Sequence, residues 1–116
     1  EGSFVLQSTY TGTGDPNIPQ GAGSRMFFDA GKSAFRAGAA TFNEWDDANI
    51  GTFSFAAGTG VRASGNASVA LGTNNLAVNF ASVVMGSNSA AAGNNAVAIG
   101  SNVISSGENS IGLGNE

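Results

Sequence analysis

The chain has no cysteine and no histidine. Disulfide frameworks, thiolate metal sites and catalysis through imidazole are therefore excluded before any pattern is read. Charge is scarce: four basic and eight acidic side chains in 116 residues, for a net charge of −4. Nucleic acid and anionic membranes call for a basic surface, which this balance does not supply. No apolar run approaches the ~18 residues of a membrane-spanning helix. There is no initiator methionine and no signal peptide, and a start at Glu1 is what a processed protein or an excised fragment would show.

Glycine, by contrast, is abundant, with 18 residues, about twice the usual share. A chain rich in Gly, Ala, Ser and Asn could be a linker or a disordered tract. Linkers have no reason to keep large aliphatic residues in phase, and this sequence does. From Ser54 it divides without gaps into blocks of fourteen: SFAAGTGVRASGNA, SVALGTNNLAVNFA, SVVMGSNSAAAGNN, AVAIGSNVISSGEN and a truncated SIGLGNE. The fifth place is always glycine: Gly58, Gly72, Gly86, Gly100 and Gly114. The second is always large (Phe55, Val69, Val83, Val97, Ile111), and the fourth is Ala57, Leu71, Met85, Ile99 and Leu113. The seventh is Gly60, Asn74, Asn88 and Asn102.

Large residues flanking a small one give the period of two expected of a strand. Glycine followed two places later by Gly or Asn marks a turn, because these residues accept positive φ most cheaply. A second polar cluster closes each block, as in Ser64-Gly65-Asn66 and Gly93-Asn94-Asn95. A helix is ruled out by glycines that would each cost about 1 kcal/mol against alanine. Two short strands and two turns per block make one coil of a parallel β-solenoid, with identical columns stacked about 4.8 Å apart. Asn74, Asn88 and Asn102 then stand in line for a side-chain ladder.

So small a coil encloses little volume. Its interior is assigned to the third place (Ala56, Ala70, Val84, Ala98) and to Ala63, Ala77 and Ala91 at the tenth. Phe55, Val69, Leu71, Val83, Met85, Val97, Ile99, Ile111 and Leu113 must then point outward. Soluble monomers seldom carry such a continuous apolar stripe, which predicts a homo-oligomer with these nine residues at the interface. Arg62 is the only charged residue between Ser54 and Gly107, as expected of a surface partly hidden by other copies. The fifth coil is truncated, an edge that natural proteins cover, so the parent protein is expected to continue.

Blocks such as SVALGTNNLAV and AVAIGSNVISSG resemble the head repeats of trimeric autotransporter adhesins of the YadA type, over about residues 54–114. The resemblance implies a left-handed parallel β-roll, a homotrimer of such rolls and a following coiled-coil stalk. It implies display at the bacterial cell surface, anchored in the outer membrane through a C-terminal part beyond this sequence. It also implies an extracellular protein or glycan ligand, without identifying its binding residues. Within the repeats, Asn79 and Phe80 replace the Gly and polar residue of neighbouring blocks, so a bulge is expected there, with Phe80 as an exposed contact to test.

Residues 24–53 read as a hairpin and capping segment. Ser24–Phe28 and Ser33–Ala37 flank a turn at Asp29–Lys32. Asn43–Asn49 suits a short helical turn with acidic residues near its start. Trp45, Phe42 and Phe53 are expected to cover the first coil, as a terminal repeat requires. Glu44, Asp46 and Asp47 are assigned to pairing with Arg25, Arg36 or Lys32, since their spacing is not that of a calcium loop. A melting temperature unchanged by chelator is the expected check. Residues 1–23 read as an extended connector, with one strand over Ser3–Tyr10.

The fold expected is thus all-β: a β-roll over 54–116 behind an N-terminal hairpin cap. No cofactor, metal, nucleic acid or membrane contact is expected of this segment. An enzyme is not expected either, because a glycosidase would need two suitably placed carboxylates and Arg62 is the only charged residue between Ser54 and Gly107. The functions that remain are the adhesive head of a trimeric surface fibre and, alternatively, a segment of a phage tail fibre on a virion.

Overall fold

The computed structural model describes residues 2–115. Its strands are β1 (Gly23–Asp29), β2 (Ala34–Ala40), β3 (Phe55–Thr59), β4 (Arg62–Ala63), β5 (Val69–Thr73), β6 (Leu76–Ala77), β7 (Val83–Ser87), β8 (Ala90–Ala91), β9 (Val97–Ser101), β10 (Ile104–Ser105) and β11 (Ile111–Asn115). They form two sheets. The larger runs β1-β2-β3-β5-β7-β9-β11 and the smaller β10-β8-β6-β4. Apart from the antiparallel β1–β2 hairpin, every pairing is parallel. From β3 onward each step moves fourteen residues, as in Val69↔Val83↔Val97↔Ile111, so the fold is an all-β parallel solenoid.

The interior follows from the small side chains. Ala56, Ala70, Val84 and Ala98 at the third place, and Ala63, Ala77 and Ala91 at the tenth, are fully buried between the sheets. Serine at the first place turns the corner. Ser54, Ser68, Ser82 and Ser110 each donate through Oγ to the carbonyl three residues back, at 2.6 to 2.8 Å. Three of these hydroxyls are buried, and a buried hydroxyl left without a partner would cost roughly 1–3 kcal/mol.

The eighth place is a further interior column, which carries no apolar signature in the sequence. Val61 and Val103 fill it at the ends, and Asn75 and Ser89 between them. Asn75 is satisfied on both sides: its Nδ2 donates to Leu71 O and Gly86 O at 2.7 and 2.8 Å, and its Oδ1 accepts from Ser89 N–H at 2.9 Å. Ser89 Oγ in turn accepts from Val103 N–H at 2.9 Å. A polar bracket thus ties three successive coils together.

The roll begins one coil before Ser54. β2 pairs with β3 in parallel, Phe35↔Phe55 through Ala39↔Thr59, an offset of twenty residues and so six more than in the later coils. Ala34–Phe53 is therefore a longer coil, with its extra residues between β2 and Gly51. The extra length encloses larger groups. Trp45 is fully buried, donating from Nε1 to Val61 O at 3.0 Å, with Phe27 packed edge-on against it at 6.1 Å. Arg36 is buried at the place that holds a small residue in later coils, and its guanidinium donates to Phe35 O, Ser54 Oγ and Ala63 O at 2.9 Å. Burial pushes its pKa down to about 10, against the pull of Asp29.

Three expectations are corrected. Ser3–Tyr10 forms no strand; its alternation finds no partner, because β1 pairs only with β2. Phe42 and Phe53 do not cover the first coil: they are 71% and 57% exposed, and Phe53 stacks on Tyr10 at 5.0 Å. Finally, no bulge interrupts Asn79-Phe80. The corner keeps its hydrogen bonds, Ala81 N–H to Asn66 O at 2.9 Å and Asn95 N–H to Phe80 O at 2.8 Å. Among the described residues Asn79 is not at positive φ, so glycine is not required there for its backbone freedom. Its Nδ2 donates to Ala92 O on the next coil.

Replacing Trp45 with phenylalanine keeps most of the packing but leaves the buried Val61 carbonyl short of a donor. The expected loss is about 2 kcal/mol of unfolding free energy, read from chemical denaturation followed by circular dichroism.

Candidate functional site

In a strand, alternate side chains face opposite ways, and burial on the larger sheet alternates accordingly. In β5, β7 and β9 the third-place residue is buried while its neighbours at the second and fourth places are open to solvent in part. Phe55 is 42% exposed, Ile99 37%, Ile111 69% and Leu113 68%. Val69, Leu71, Val83, Met85 and Val97 are half-buried, chiefly by one another along the columns. All nine residues assigned to an interface thus stand on one outer face in two adjacent rows: Phe55, Val69, Val83, Val97, Ile111, and Leu71, Met85, Ile99, Leu113. Phe55 also stacks on Phe35 of the preceding strand, ring centroids 5.0 Å apart. No charged side chain interrupts the rows.

The turn residues lie at the edge of this face. Gly58, Gly72, Gly86, Gly100 and Gly114 have φ between 112° and 136°. A Cβ on Gly58, Gly72, Gly86 or Gly100 would meet the backbone carbonyl of the glycine in the next coil. Asn74, Asn88 and Asn102 have φ of 52° to 59°, and each donates its backbone N–H to the coil before it, at 2.9 to 3.0 Å. Asn74 Nδ2 also reaches Asn88 Oδ1 at 3.4 Å. A second asparagine contact joins Asn95 Nδ2 to Asn109 Oδ1 at 3.2 Å. Phe80 stands 56% exposed at the other corner.

The acidic residues of the first coil are occupied within the chain. Of the three carboxylates expected to pair with Arg25, Arg36 or Lys32, only Asp47 does so among the described residues, with Lys32 at 3.0 Å; the other two take backbone donors instead. Asp46 accepts from Gly21 N–H at 2.6 Å. Glu44 accepts from the backbone N–H groups of Thr41 and Phe42. Desolvation raises the Glu44 pKa, but these hydrogen bonds outweigh it and hold the group below its usual value. Arg25 takes no carboxylate; it donates to Gly21 O at 2.7 Å and lies 5.7 Å from the Trp45 ring centroid. No helix among the described residues is long and apolar enough to cross a membrane.

A stack of small-cored coils with one open apolar face defines a repeat module of the parallel β-solenoid class. Two segments of the chain, residues 50–75 and 79–102, match the YadA head domain repeat. This is a structural, adhesin-type family. The first match begins at Ile50, inside the tail of the longer coil, in agreement with a roll that extends back beyond Ser54. No curated protein and no solved structure matches the chain.

Proposed function

We propose that this chain is the head segment of a trimeric cell-surface adhesin, in which three left-handed rolls stand side by side and close their apolar faces on a common axis. The observation that carries this reading is the charge-free outer face of the larger sheet. Full burial of an exposed large apolar side chain is worth roughly 1.5–3 kcal/mol; the half-buried members of the rows gain a fraction of that and Ile111 and Leu113 the most, because the face is open in a single copy. Closing it turns three thin solenoids into one rod with a shared core. Ala34–Phe53 then serves as the cap that ends the roll, its interior sealed by Trp45 and Arg36.

Such a rod works by presentation and not by catalysis. Attachment to an extracellular protein or glycan through repeated weak contacts gains strength from avidity. Sedimentation equilibrium tests the assembly: the mass should be that of three 11.4 kDa chains, and a single-chain mass at micromolar concentration would overturn the reading. Beads coated with the chain should also adhere to cell or matrix surfaces more strongly than uncoated beads.

A further inference from the structure

The open face does not stop where the repeats stop. β1 and β2 pair antiparallel with Phe28↔Phe35 and Met26↔Ala37, and β2 pairs with β3 as Phe35↔Phe55 and Ala37↔Ala57. Directly paired residues share a face of the sheet, so Met26 and Phe28 continue the two rows of the roll. Their neighbours Arg25, Phe27 and Asp29 point the other way, toward Trp45 and the interior, and Asp29 is buried. The charges of the hairpin are thus kept off this face, and large apolar residues occupy it in part exposed to solvent. Met26 is 69% and Phe28 37% exposed.

The N-terminal segment reaches the same place. Phe4 and Leu6 line an apolar cleft of about 400 Å³ with Met26, Phe28 and Phe35, yet remain 82% and 61% exposed themselves. The chain's own segment therefore leaves this end of the face open. Six inter-strand steps at about 4.8 Å carry the two rows over the whole seven-stranded sheet, without a charged residue from Met26 and Phe28 to Ile111 and Leu113.

We propose that the self-association surface continues past the roll onto the hairpin, where Met26, Phe28 and Phe35 of each copy meet those of another copy, with the Phe4–Leu6 segments drawn into the same contact. The occupant is a second copy of this chain, because the hairpin rows are in register and continuous with the roll rows; a copy covering one in parallel alignment covers the other. This rests on the self-association argued above, and the experiment separates the two.

The chain has no cysteine, so Met26→Cys labelled with pyrene gives a single probe on the hairpin. Ile104→Cys, on β10 of the opposite sheet and 73% exposed, is the control. The expected result is a three-chain mass with pyrene excimer emission several-fold stronger at position 26 than at 104. A three-chain mass with equal emission at the two positions overturns the hairpin contact and leaves the roll contact standing. A single-chain mass for the unlabelled protein overturns both. If the label at 26 alone drives the chains apart, the contact is supported by that loss. Unlabelled Met26→Ser/Phe28→Ser should then raise the dissociation midpoint at least tenfold, and an unchanged midpoint counts against the proposal.

Discussion

Gly86→Ala is expected to destabilise the chain by about 4 kcal/mol, whereas the same change at Gly114 should cost only about 1 kcal/mol. The two glycines occupy the same place in successive coils, and both have φ well inside the positive region, 120° and 112°. An alanine forced into such backbone stores roughly 1–3 kcal/mol. What separates them is the neighbouring coil. A Cβ on Gly86 would meet the carbonyl oxygen of Gly100, whereas nothing lies within 4 Å of one on Gly114. Gly86 cannot yield without parting β7 from β9 and breaking ladder bonds on both sides. Gly114 is in the last strand, β11, and has only strain to relieve. Chemical denaturation at equal protein concentration, followed by circular dichroism, measures both; equal concentration matters because assembly shifts apparent stability. Equal losses would mean that conformational strain, and not the approach of coil to coil, keeps this column glycine.

The twelfth place offers the contrasting case. A Cβ on Gly65 or Gly93 would also meet the backbone of the next coil, yet Asn79 stands at the equivalent position in an unbroken corner. Two glycine columns that look alike in sequence therefore differ physically. The fifth place needs positive φ and close approach together, while the twelfth needs only room, which Asn79 obtains while bonding the neighbouring coil.

The same contrast explains what could be read without coordinates. Stacked coils put like on like, so a column of small residues at the third place and large ones at the second and fourth already tells inside from outside. Columns of mixed chemistry do not. Asn75 and Ser89 belong to the interior, but a buried bracket of polar side chains looks like any polar turn until its hydrogen bonds are placed. The longer first coil was hidden by its extra residues, which break the phase. Its signals were nonetheless present: Ala34-Phe35-Arg36-Ala37-Gly38 repeats the pattern that opens each later coil, and Gly51 stands where Gly65 does. Arg36 at a place otherwise held by small residues conceals the match. The guanidinium donates there to Phe35 O of its own coil and to Ser54 Oγ and Ala63 O of the next.

Met85→Asp should abolish the three-chain species at concentrations where the parent chain is fully assembled. Met85 lies mid-row, between Leu71 and Ile99 on the paired strands, and so far from either end that an assembly cannot avoid it by sliding or fraying. In a trimer closed on these rows, three carboxylates would converge in a space without a single countercharge. Burying even one unpaired carboxylate costs several kcal/mol, and the three would also repel one another. Ala90→Asp is the matched control: β8 lies in the smaller sheet, and its outward position carries no part of the stripe. That variant should keep the mass of the parent. Sedimentation equilibrium of the two proteins decides the matter. A Met85→Asp chain that still sediments as three copies would move the contact off this face, whereas dissociation of the Ala90→Asp chain would transfer it to the smaller sheet. Loss of assembly in the first variant alone ties it to the rows that the fourteen-residue phase lines up, because no other surface of the roll repeats large apolar residues at every coil.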